Sequence, residues 1–148
     1  SAAGRAFVGL FAGTPVDARL TADWITTAWR KLCLNAAGAV CAAAMRPTGV
    51  VHFAPIADVM RGLVRETLLV GRAEGARLED ELVEAIITRE LAAPRDGINS
   101  LYADRLAGRP MEIDARNGAV VRFGRKHGIP TPYNETVTAL LQAVNPSR

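Results

Sequence analysis

Aromatic residues are scarce in this chain, at 5% of 148 residues, while much of its 49% apolar content is alanine. Small side chains let helices pack closely but fill a sheet sandwich poorly, so the expected fold class is all-α. Only two cysteines occur, Cys33 and Cys41. On one helix their backbones would stand about 12 Å apart, too far for a disulfide, so they read as buried free thiols in a reducing cytoplasm. The basic excess is small, 18 Lys and Arg against 15 Asp and Glu, and the cations are scattered, which excludes a nucleic-acid-binding tract. The alanine-rich run Ala36 to Met45 is too short to span a bilayer, and no charged-then-apolar signal segment opens the chain. Neither nucleic acid nor membrane is therefore an expected partner. A glycine-rich turn after a strand, a Walker loop and a nucleophile elbow are also missing. The two histidines, His52 and His127, lack the spaced partners of a zinc site, so no metal is expected.

Helical periodicity separated by short Gly/Pro breaks is present instead. The length suits one domain with its own core. Arg5 to Phe11 reads as a short strand between glycines. A long helix is expected from an N-cap at Thr21 to about Ala44, and a second from Pro55 to the glycines at 71 and 75. Leu78 to Leu91 is amphipathic, and shorter helices are expected at Asn99 to Leu106, Asp114 to His127 and Asn134 to Val144. The expected architecture is a compact bundle of about six helices.

Two constellations could carry chemistry. Lys31 and Asn35, four residues apart, share one face of a helix that is otherwise apolar nearly all round, with no carboxylate beside them in sequence. One reading has Lys31 snorkelling from the core's rim while Asn35 bonds a carbonyl. The other makes Lys31 a cleft ammonium able to give a proton to a developing alkoxide, with Asn35 orienting the substrate. The second constellation is Ser100 with Glu112 and Asp114. Here too a bland reading stands: Ser100 as an N-cap, and the two acids in the first turn of a helix, complementing its dipole. Gly118, inside a helical pattern, suggests that another helix or a ligand comes close.

Four motifs then stand in order: Trp29-Arg30-Lys31-Leu32-Cys33-Leu34-Asn35; Ser100-x-x-x-Asp104; Gly108-Arg109-x-x-Glu112-Ile113-Asp114-x-x-Asn117-Gly118; and Gly128-Ile129-x-Thr131-Pro132-x-Asn134. From about Asp23 to Ala143 the chain resembles the C-terminal domain of ketopantoate reductase (2-dehydropantoate 2-reductase), with its 6-phosphogluconate dehydrogenase-like helical fold. The resemblance implies NADPH-dependent reduction of a small 2-oxoacid, 2-dehydropantoate to pantoate, on the route to pantothenate. It makes Lys31 the catalytic acid and assigns Asn35 and Ser100 to substrate binding. Glu112 is then a catalytic carboxylate that also holds the NADP cofactor at the domain cleft. A homodimer is among the partners it implies.

Two departures accompany the resemblance. Ala39 stands where the family often has a second asparagine, which removes one polar contact to the substrate. The family's N-terminal Rossmann domain has no counterpart here beyond the strand-like Arg5 to Phe11. Residues 1–20 therefore read as the remnant of a preceding domain and its linker, and 21–148 as a helical substrate-binding and dimerisation domain that would not turn over alone. The alternative is a free-standing helical dimerisation or interaction module that keeps the fold without the catalysis.

Overall fold

The computed structural model describes residues 1–145. Among these the chain is helical throughout: α1 (Ala2–Gly9), α2 (Trp24–Ala37), α3 (Ala39–Ala44), a 3-10 turn (Thr48–His52), α4 (Ala54–Ala73), α5 (Glu81–Ala92), α6 (Ser100–Leu106), α7 (Asn117–His127) and α8 (Pro132–Ala143). The all-α expectation holds, and six of these helices or helix pairs correspond to the six expected segments.

Two local expectations fail, each for a physical reason. Arg5 to Phe11 is not a strand: it lies in α1 and the turn after it, because Ser1 caps the Gly4 N–H at 3.1 Å and no second strand exists among the described residues to pair with it. Phe7 and Phe11, four residues apart, meet edge to face at 5.5 Å, as helical spacing dictates. The long first helix, in turn, starts later and breaks once. Its cap is Asp23, whose carboxylate accepts the Thr26 N–H at 3.1 Å, and it stops at Gly38. The Asn99 amide donates to the Gly38 carbonyl at 3.0 Å, and a side chain at Gly38 would press on that amide at 3.1 Å. This tertiary bond falls where α2 gives way to α3, at a Gly38 that keeps a helical conformation.

α4 is the central pillar, packed on α2, α5, α7 and α8. Proline in its first turn suits the unpaired N–H groups there, and Met60, Leu63, Val64 and Val70 are fully enclosed. Trp29 of α2 lies edge to face with Phe123 of α7 at 5.7 Å and close over Gly71 of α4, where a Cβ would come within 3.0 Å of the indole. Cys33 and Cys41 are buried and unpaired.

A buried polar chain ties four helices together. The Glu66 carboxylate accepts the backbone N–H groups of Tyr133 and Asn134 at 2.8 and 2.9 Å, satisfying the start of α8, and takes a third bond from the Asn134 amide at 2.7 Å. Asn117 donates to Asn134 at 2.9 Å and to the Ala36 carbonyl of α2 at 3.3 Å. Through these bonds the N-terminal end of α7 is held against the last turn of α2, which positions the candidate site.

Candidate active site

Lys31 and Asn35 do lie on one face of α2. The helix turns Trp29 and Cys33 inward, leaving Trp24, Ala28 and Lys31 exposed and Asn35 half-buried. Neither the Lys31 ammonium nor the Asn35 amide bonds any described residue. Lys31 stands at the edge of a groove of about 390 Å³ between α2 and α5, with Arg30 and Arg89 at its rim and Leu34, Leu82 and Ile86 as its floor. No acid lines it. The solvent exposure of Lys31 means that these residues alone do not supply the desolvation expected for a cleft lysine.

The bland readings of Ser100 and Glu112 give way. Asn99, not Ser100, caps α6: its carboxamide oxygen accepts the Tyr102 N–H at 3.0 Å, leaving the Ser100 hydroxyl free of the helix end. α7 begins only at Asn117, so Glu112 and Asp114 precede the helix instead of forming its first turn. Asp114 is held by Arg122 at 2.6 Å. Glu112 is 68% exposed, and its neighbour is Arg116, whose Nη2 donates to Ser100 Oγ at 2.9 Å and reaches Glu112 Oε2 at 3.4 Å. At Gly118, expected to admit another helix or a ligand, an added Cβ would meet Asp114 Oδ1 at 3.1 Å and the Ile113 carbonyl at 3.4 Å, both from the turn just before it.

Two backbone bonds bring these pieces to the end of α2. Asn99, next to Ser100, bonds Gly38; Asn117, next to Arg116, bonds Ala36; and Asn35 directly precedes Ala36. These bonds dock the Asn99–Ser100 and Arg116–Asn117 segments on the C-terminal end of α2, which carries Asn35, with Glu112 reached through Arg116 and Lys31 one turn back along α2. No direct bond joins Lys31 to Ser100 or Glu112. Ala39, at the start of α3, is fully buried. Arg116 was not singled out in the sequence reading, and the signal that could have found it is its spacing of four from Glu112.

No three His, Cys, Asp or Glu side chains among the described residues are grouped to hold a metal ion. His52 ends the 3-10 turn, and His127, the last residue of α7, meets Glu74 together with Lys126. No described helix is long and apolar enough to cross a membrane.

The family model described as "Ketopantoate reductase PanE/ApbA C terminal" matches residues 23–145. The chain belongs to the ketopantoate reductase family. It corresponds to the C-terminal domain of that family, and the match runs from the Asp23 cap to the end of α8, leaving α1 outside. The 2-dehydropantoate 2-reductase of Caulobacter vibrioides is 54% identical over 141 residues, covering 95% of this chain and 49% of the relative. That of Mycobacterium tuberculosis is 38% identical over 143 residues, covering 97% of the chain and 48% of the relative. A solved dimeric ketopantoate reductase from Staphylococcus aureus superposes with a TM-score of 0.92 at 28% identity, over 97% of this chain and 51% of that one. The chain thus spans about half the length of the curated relatives it matches.

Proposed function

We propose that the chain is the substrate-binding half of an NADPH-dependent 2-oxoacid reductase, acting on 2-dehydropantoate. The observation that carries this reading is the docking of the segments bearing Ser100 and Arg116 on the end of α2 that bears Asn35, with an unpartnered lysine one turn back, in a member of this family. In this reading the ketoacid lies along the exposed face of α2. Asn35 and the Ser100 hydroxyl bind it, Lys31 gives a proton to the carbonyl oxygen as that oxygen becomes an alkoxide, and Glu112 holds substrate and cofactor at the cleft. An ammonium is suited to the task because it both stabilises the developing negative charge and carries the proton.

The described residues contain no strand and so no strand-to-helix glycine turn of the kind that cradles a dinucleotide. NADP would be held by a separate dinucleotide-binding half facing the open stripe of Trp24, Ala28, Lys31 and Asn35. Bound there, the reduced nicotinamide supplies the hydride. Closure of that half over α2 would also remove water from Lys31. Residues 1–20, ending before the family match, are the natural candidates for the join.

Further partners in this reading are the 2-oxoacid and a second copy of the chain. The dimer is supported by the Staphylococcus aureus relative and by a mainly apolar groove of about 530 Å³ between α3, α4 and α8, lined by Ile56, Val59 and Leu140 with Tyr133 and Thr136 among them. Two buried, unpaired thiols suit a reducing cytoplasm. A non-catalytic dimerisation module is the other reading, and one experiment separates the two. In the protein joined to its dinucleotide-binding half, Lys31→Ala is expected to lower kcat/KM for ketoacid reduction by about a hundredfold or more, the range of a positioned general acid. Nearly unchanged reduction removes Lys31 from the role.

A further inference from the structure

The third motif leaves position 116 open, yet the structure puts a guanidinium there at the meeting point of the proposed site. The Arg116 side chain is only 14% exposed. One of its nitrogens, Nη2, serves both Ser100 and Glu112, the second at a long 3.4 Å, while Nε and Nη1 bond nothing among the described residues. The two nitrogens are not sealed from solvent, so they remain open to an incoming anion. Glu112 does not occupy them, since it reaches only Nη2 and is mostly in solvent. Because the Arg116 N–H donates to Ser100 Oγ, that oxygen accepts, and its own proton is left to point elsewhere. The pair therefore presents N–H and O–H donors and no competing acceptor.

Charge argues the same way. Lys31, with Arg30 and Arg89 at the rim of its groove, and Arg116 outweigh Glu112, so the proposed site is cationic and favours an anion. A planar carboxylate matches the forked donors of arginine better than those of an ammonium. We propose that Arg116, with the Ser100 hydroxyl, binds the carboxylate of the 2-oxoacid, leaving Lys31 free for its carbonyl oxygen. This assignment rests on the reductase reading and adds to it a specificity-determining residue, Arg116, for the carboxylate end of the substrate.

The test compares the two-domain protein with its Arg116→Gln and Arg116→Lys variants on a 2-oxoacid and on that acid's neutral methyl ester. With Arg116→Gln, KM for the acid is expected to rise about ten- to a hundredfold, the range of a charge-assisted hydrogen bond, while kcat changes less and the ester is hardly affected. Arg116→Lys should recover part of the loss. An acid KM within threefold of wild type, or equal rises for acid and ester, overturns the assignment with the reductase reading intact. Should Arg116→Gln fail to fold by circular dichroism, Arg116→Lys carries the same comparison. If the wild-type protein reduces no 2-oxoacid, the reductase reading fails, and calorimetric titration with oxamate decides Arg116 separately. Binding weakened tenfold or more by the substitution supports it, and equal or absent binding overturns it.

Discussion

Burial decides the behaviour of single residues here more than their chemistry does. Cys33 is fully enclosed, and loss of hydration pushes its thiol up to about 12, against a smaller opposing pull from Arg30. Cys41 rises to about 11 for the same main reason. A thiol is reactive as the thiolate, so neither should react with Ellman's reagent in the native protein at pH 8, and both should react once denaturant unfolds it. Fast stoichiometric labelling of the native chain would contradict the burial. The sign of the pH effect follows. The folded state holds these protons more tightly than the unfolded one, whose thiols titrate near 9, so their favourable contribution is whole below about pH 9 and is lost as pH rises toward 12. Denaturant midpoints measured between pH 7 and 10 should therefore fall at the alkaline end. Asp23 works at the other extreme: bonds from Thr26 and Arg77 lower it to about 2, so its contribution is present above its ordinary value near 4 and disappears only in strong acid.

Elements were legible where the apolar period is long and their ends were not. α4, α5 and α8 follow from Leu63, Val64, Ile86, Ile87, Val137 and Leu141 recurring at helical spacing, because each faces the common core. The break at Gly38 was invisible, since it depends on Asn99, sixty-one positions away, donating to a carbonyl that a continuous helix would keep for itself. α1 was misread because Phe7, Val8, Leu10 and Phe11 form a run too short for periodicity to separate strand from helix. In the site, Lys31, Asn35, Ser100 and Glu112 were readable from their motifs, whereas Arg116 acquires meaning only when α6 and α7 are docked on α2. The end of α3 shows what helix termination costs. Met45 takes a left-handed conformation with φ of 53°, and the Met45 and Arg46 N–H groups close back on the Ala42 and Cys41 carbonyls. Arg105 of α6 also caps the carbonyls of Ala42 and Ala43. Glycine adopts that conformation without the side-chain penalty, and Met45 is 39% exposed, so little packing is at stake. Met45→Gly is therefore expected to stabilise the fold by about 1 kcal/mol, read as a higher denaturant midpoint at unchanged slope. An unchanged or lower midpoint would mean that the Met45 side chain packs better than its exposure suggests.

For the whole molecule, the issue is what a helical bundle with this proposed half-site needs in order to act as a reductase. The chain spans about half of its relatives' length, and on α2 Trp24, Ala28 and Lys31 are exposed while Asn35 is half-buried. Two charged side chains in the proposed site remain without full partners, Lys31 exposed and Arg116 largely buried, which suits a half-site that a ligand and a second surface complete. Dinucleotide affinity comes largely from backbone N–H groups at a strand-to-helix turn, and no such turn occurs among the described residues. Titrated alone, the 148 residues should give no saturable response to NADPH at micromolar concentrations and no ketoacid reduction. The same chain joined to its dinucleotide-binding half should show both, and Lys31→Ala in that protein should keep the NADPH binding while losing the reduction. A micromolar NADPH endpoint with the isolated chain would place a cofactor site within these helices and overturn the division of labour proposed between the halves. Binding without reduction in the joined, wild-type protein would favour the dimerisation module over the enzyme.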